Sequence, residues 1–116
     1  MTLETLREYC LSLPYVSEDI KWGNDLCFCI GGKMFCITGL VQPIGASLKV
    51  PDEEFDELCS RNGIKPAAYL ARYKWIYVED LDNFSVKEWK HYLKQSYEMK
   101  REKLSPKLKK TFGIPL

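Results

Sequence analysis

A single histidine, no Cys-x-x-Cys pair and no long apolar run deprive this 116-residue chain of the materials for several functions. His91 has no second histidine to work with, and no G-x-S-x-G, H-E-x-x-H or phosphate-cradling glycine loop occurs. Gly31 and Gly32 precede Lys33 but lead into an apolar run instead of a helix, which excludes a phosphate loop. The acids between positions 52 and 57 crowd a helix start, where the macrodipole accounts for them. The chain therefore reads as a non-enzyme with no catalytic residue and no cofactor. No stretch approaches the ~20 apolar residues of a membrane span, and the first residues lack a signal-peptide pattern. A cytoplasmic location is expected. The five cysteines are an odd number without a disulfide framework, which fits reduced thiols.

What is present is an ordinary globular composition, with 46% apolar and 28% charged residues. The length allows one hydrophobic core, so residues 1–116 are read as a single domain. The net charge of +1 conceals a division. Residues 1–64 carry five bases and ten acids, a balance of −5, and residues 65–116 carry twelve bases and six acids, a balance of +6. Such asymmetry points mildly to a polyanionic partner.

Periodicity places the elements. Leu3, Leu6, Cys10 and Leu13 form one helical stripe that Pro14 ends. Residues 14–24 read as a connecting loop with at most a short extended piece. Leu26, Phe28 and Ile30 alternate with Cys27 and Cys29 up to the Gly31-Gly32 turn, and residues 34–41 return as the partner strand. Counting from that turn sets Phe28 opposite Phe35 and Cys27 opposite Cys36. Ala46, Leu48 and Val50 mark a third strand, and Pro51 with Asp52, Glu53 and Glu54 opens a helix that Asn62-Gly63 closes. Residues 64–72 are ambiguous, 73–79 read as a strand, and Ser85 with Glu88 forms a capping box for the last long helix. Val86, Trp89, Leu93, Ser96, Tyr97 and Lys100 follow its inner face. Residues 105–116 make a basic terminal helix or tail. The order α-β-β-β-α-β-α predicts an α+β fold, an antiparallel sheet covered by helices on one face.

The hairpin count puts Cys27, Cys29 and Cys36 on one sheet face, three thiols without a fourth ligand. They are read as small buried hydrophobes, and no metal site is assigned.

Several short patterns follow one another in a fixed order. They are Leu13-Pro14-Tyr15-Val16-Ser17-Glu18-Asp19, Trp22-Gly23, Gly31-Gly32-Lys33-Met34-Phe35, Leu48-Lys49-Val50-Pro51-Asp52, Tyr73-Lys74-Trp75-Ile76-Tyr77-Val78 and Gln95-Ser96-Tyr97-Glu98. In this order the chain resembles the MmcQ/YjbR family of small bacterial proteins. The resemblance implies a domain like the CyaY/frataxin fold and a link to double-stranded DNA through a double-wing surface. The iron-binding acidic ridge of frataxin-like proteins has no counterpart, since no dense acidic run lies on the first helix. Family members often carry histidines at positions corresponding to 69–75, and this chain has none there.

On this resemblance the expected DNA contacts are Lys33 at the hairpin tip, Lys49 pointing away from the core, and Arg72, Lys74 and Trp75 at a strand entry. The alternative is a protein- or small-molecule-binding module using an aromatic cleft lined by Trp22, Tyr69 and Trp75.

Overall fold

The computed structural model describes residues 1–116. Ten regular elements follow one another: α1 (Leu3–Ser12), β1 (Val16–Lys21), β2 (Asp25–Ile30), β3 (Lys33–Thr38), β4 (Ala46–Lys49), α2 (Asp52–Cys59), β5 (Ile64–Pro66), β6 (Trp75–Val78), α3 (Val86–Glu102) and α4 (Pro106–Thr111). Six strands form one sheet in the order β1-β2-β3-β4-β6-β5, and every neighbouring pair is antiparallel. Helices α1, α2 and α3 pack on one face of it.

The helix starts obey their sequence signals. Ser85 accepts from the Glu88 N–H at 3.0 Å while Glu88 accepts from the Ser85 N–H at 2.9 Å. Arg61 then ties the end of α2 to this cap, donating to Glu88 at 2.6 Å and to the Asn83 carbonyl at 3.1 Å. That guanidinium holds the Glu88 carboxyl below its usual range. Thr2 and Thr5 cap α1 in the same reciprocal way.

A core of 23 side chains fills the space between sheet and helices, with Trp89, Phe28, Phe35, Leu6 and Ile30 its largest fully buried members. Trp89 donates its indole N–H to the Leu81 carbonyl at 2.7 Å, and Phe84 meets its ring edge-to-face at 4.9 Å.

Two strands lie where a loop and an ambiguous segment were expected. Strand β1 is an edge with both faces largely exposed, so it lacks the apolar alternation that marks a half-buried strand. Strand β5 is the other edge, three residues long and ended by Pro66.

The hairpin register also needs correcting. Ile30 pairs with Lys33 and Cys29 with Met34, but the register then shifts, so Phe28 pairs with Cys36 and Cys27 with Ile37. Phe35 is the extra residue of a β-bulge. The shift turns Phe35 and Cys36 together into the helix-covered core, where Cys36 meets the Cys10 thiol. Cys27 and Cys29 remain outside that core, beside Lys21 and Asp19. The three thiols therefore do not share a face. Burial pushes the Cys27 thiol up to about 11. Nowhere do three His, Cys, Asp or Glu side chains converge as metal ligands, and no helix is long and apolar enough to cross a membrane.

Candidate nucleic-acid interface

The hairpin tip is not a free finger. Gly31 has φ +56°, and a Cβ there would lie 2.7 Å from Leu104 Cδ1; a Cβ on Gly32 would approach Phe112 at 3.3 Å. Leu104, just past α3, and Phe112, after α4, thus lie against the turn. The C-terminal segment braces the tip, and Lys33 leaves it half-buried.

Lys33 is one of several lysines brought together at this end of the sheet. The Lys49 ammonium donates to the Tyr73 carbonyl. Burial lowers its pKa below the ordinary 10.5, and the charges of Lys103 and Lys74 lower it further, against a smaller opposing pull from Asp52. Lys100 is lowered in the same way, by burial first and then by Lys49, Lys33 and Lys103. Its Nζ lies 5.4 Å from the centre of the Trp75 ring. Lys74 stands in the left-handed region at φ +63° and places its Nζ 4.9 Å from the Phe55 ring. None of these five lysines takes part in an ion pair; the molecule's pairs are Arg7–Glu18, Arg61–Glu88, Lys65–Glu79 and Lys94–Glu98. Asp52 offsets only part of this crowding of like charges, and an anion seated among them relieves the remaining repulsion.

The other expected contacts fall differently. Arg72 is exposed, its guanidinium 4.8 Å from the Tyr73 ring. Trp75 is only 3% exposed, so it serves as the surface against which Lys100 lies and is out of reach as a groove-reading side chain.

Lys100 and Lys103 were absent from the expected set because they lie on and just after α3, some 50 positions from Lys49. One signal was available: Lys100 falls on the inner stripe of α3, where a lysine is out of place unless it caps a buried surface.

Ser96 organises the strand that carries Lys49. The bulge takes Phe35 out of register with β2, and the β3–β4 pairing ends at Cys36–Leu48. The Ser96 hydroxyl, fully buried, bridges the next position by donating to the Phe35 carbonyl at 2.6 Å and accepting from the Lys49 N–H at 3.2 Å.

On the helix-free face, Met34, Ile37, Ser47 and Tyr77 contribute to a cavity of about 850 Å³, bordered by Trp22 and Tyr69. Trp75 is not part of its lining. The expected aromatic cleft is therefore formed by Trp22, Tyr69 and Tyr77.

Comparison with known proteins fits this architecture. The YjbR family model matches residues 11–99. The chain belongs to the YjbR family. None of the curated proteins matches it. The YjbR fold is also evident in solved structures. The crystal structure of Deinococcus radiodurans protein DR2400, with a DUF419 domain, is 26% identical, has a TM-score of 0.84, and aligns over 98% of this chain and 89% of its own. A Pseudomonas syringae protein is 20% identical with a TM-score of 0.73, over 87% of this chain and all of its own, and shows the fold alone.

The patterns that carried the family resemblance have structural work to do in this YjbR domain. Gly31-Gly32 makes a turn that Leu104 and Phe112 close over, and Ser96 mends the bulge. Tyr97 donates to the Pro14 carbonyl at 2.7 Å and accepts from Arg101 at 2.9 Å, tying α3 to the end of α1.

Proposed function

We propose that this YjbR-family chain is a non-enzymatic DNA-binding protein that grips DNA through its phosphates. The observation that carries the reading is the convergence of Lys33, Lys49, Lys74, Lys100 and Lys103 without acidic ion-pair partners. Arg72 extends the basic surface outward from the Tyr73 ring. The contacts are to backbone phosphates, so binding is weak in sequence preference and steeply dependent on salt.

If all five lysines neutralise a phosphate, log K falls against log salt with a slope of about −4.5. Affinity for a labelled duplex then drops about 500-fold between 50 and 200 mM salt, read by fluorescence anisotropy. Lys49→Ala and Lys100→Ala are each expected to flatten the slope by about 1. Absence of binding at 50 mM salt, or a slope near zero, rules the reading out.

The pH dependence has a definite sign. Lys49 and Lys100 have pKa values below the ordinary 10.5 in the free protein, and a bound phosphate favours their charged forms. Binding therefore takes up protons, and affinity falls as pH rises through the lowered values. In the Lys49→Ala, Lys100→Ala double variant this alkaline loss is expected to shrink. An unchanged pH profile in that variant would assign the titration to other groups.

A further inference from the structure

The cavity on the helix-free face is lined in part by β4, the strand that carries Lys49. Ser47 and Lys49 are two positions apart on β4, and Tyr77 and Trp75 are two positions apart on β6. Residues so spaced on a strand share a face at about 7 Å separation. Lys49 is thus the next residue on that face of β4, just outside the cavity lining. The lining itself carries Asp25 and Lys65, whose Nζ lies 5.6 Å from the Tyr77 ring and 3.5 Å from Glu79.

The borders of this cavity are unusual. Trp22 follows β1 and is 69% exposed; Tyr69 follows β5 and is 98% exposed. Both hold left-handed backbone conformations, with φ +52° and +66°. For a bulky residue that conformation is strained, and glycine would adopt it freely. Neither ring is paired with another ring or with a cation of the molecule. Two large aromatic surfaces are thus held out beside the groove.

We infer that this groove receives unpaired bases of single-stranded DNA, stacked on Trp22 and Tyr69, while the adjoining phosphates run toward Lys49. The inference rests on the phosphate-binding reading above and adds to it the state of the DNA. A paired base hides its faces in the duplex stack and offers nothing to an aromatic platform; an unpaired base presents a π-face of any sequence. The volume, about 850 Å³, lies within the range of pockets that enclose organic ligands. Within the lining Asp25 and the Glu79-paired Lys65 leave little net charge, so the attraction for a polyanion comes from the lysine cluster that begins at Lys49, two positions beyond Ser47.

The test compares a labelled 12-mer of oligo(dT) with the corresponding dA·dT duplex, at 50 mM salt, in four proteins. These are the wild type, Trp22→Gly, Tyr69→Gly and Lys49→Ala. Glycine suits the left-handed backbone, so the two aromatic variants are expected to keep their melting temperatures. Each is expected to bind the single strand about 5- to 150-fold more weakly while duplex affinity stays within twofold. Lys49→Ala is expected to weaken both. The single strand is also expected to quench the fluorescence of the exposed Trp22, and dTMP at equal concentration to leave it unchanged.

Duplex binding with no loss of single-strand affinity in either aromatic variant would overturn the groove assignment and leave the phosphate reading standing. Equal quenching by dTMP would overturn it in favour of a free nucleotide. Failure of the wild type to bind either DNA would overturn both.

Discussion

Trp89→Ala is expected to lose about 4 kcal/mol of stability, the largest effect of any substitution considered. The ring is fully buried on the inner face of α3's first turn and meets Phe84 edge-to-face at 4.9 Å. Removing a buried tryptophan costs about 3–5 kcal/mol through lost transfer energy and the cavity left behind. The Leu81 carbonyl loses its 2.7 Å donor as well. Domains of this size are stable by only about 5–15 kcal/mol, so the variant stands near the limit of folding. A fall in melting temperature of roughly 15–20 °C corresponds to this loss. Trp89→Phe separates the contributions: it keeps most of the packing, gives up the N–H, and is expected to cost about 1–2 kcal/mol. Urea denaturation of the three proteins checks both figures. A loss below 1.5 kcal/mol for the alanine variant would mean that the core collapses around the site or that the ring is less central than its burial indicates.

Ser96→Ala comes second, and its cost arises from polarity instead of volume. The hydroxyl is the sole bridge described between the Phe35 carbonyl and the Lys49 N–H, at 2.6 and 3.2 Å. Alanine fits the space but leaves both groups without that partner inside the protein. The orphaned buried carbonyl costs about 1–3 kcal/mol and the part-buried Lys49 N–H about 1, so a total loss of about 2–4 kcal/mol is expected. Amide hydrogen exchange gives a more specific reading than global stability. The Lys49 N–H should lose protection beyond the global change, because its partner is gone and the end of β4 opens. Equal protection at Lys49 in both proteins would show that water or a strand adjustment replaces the hydroxyl. The substitution also distinguishes support from contact. Lys49→Ala is expected to leave stability nearly unchanged, since its side chain is a partly exposed lysine, and to act on DNA affinity alone.

These two residues illustrate how far local pattern reaches. Trp89 is legible as a core residue because it repeats at helical spacing with Leu93, Ser96 and Tyr97 behind a Ser85/Glu88 cap. Ser96 falls on the same stripe, yet its role depends on a bulge that nothing in the strand sequence marks. Residues 33–38 alternate well enough to be counted two by two from the Gly31-Gly32 turn, and the count fails at Phe35. One extra residue exchanges the faces of the strand beyond it, which is why Cys36 lies beside Cys10 and apart from Cys27 and Cys29. The edge strands escaped for another reason. Val16–Lys21 buries no residue fully, so it has little of the burial contrast that periodicity reports, and Ile64–Pro66 buries only Ile64, too short a strand to show a period.

The candidate interface divides along the same line. Lys33, Lys49, Arg72 and Lys74 could be named from their places at a turn, on a strand and at a strand entry, because alternation and turn chemistry are properties of neighbouring residues. Lys100 and Lys103 join Lys33 and Lys49 only when α3 is laid across the sheet, and Trp75 becomes a buried support for the same reason. Trp22 and Tyr69 come to border one groove through the pairing of strands that lie far apart in the chain. The sequence by itself determined the long helices, the Ser85/Glu88 cap, the Gly-Gly turn and the α+β class, consequences of short-range spacing and backbone preference, and its ordered motifs carried the family resemblance. Only the tertiary structure decided the sheet order, the register beyond the bulge and the meeting of the lysines. Those depend on contacts between distant segments, whose energy comes from burying surfaces against one another and leaves no local trace.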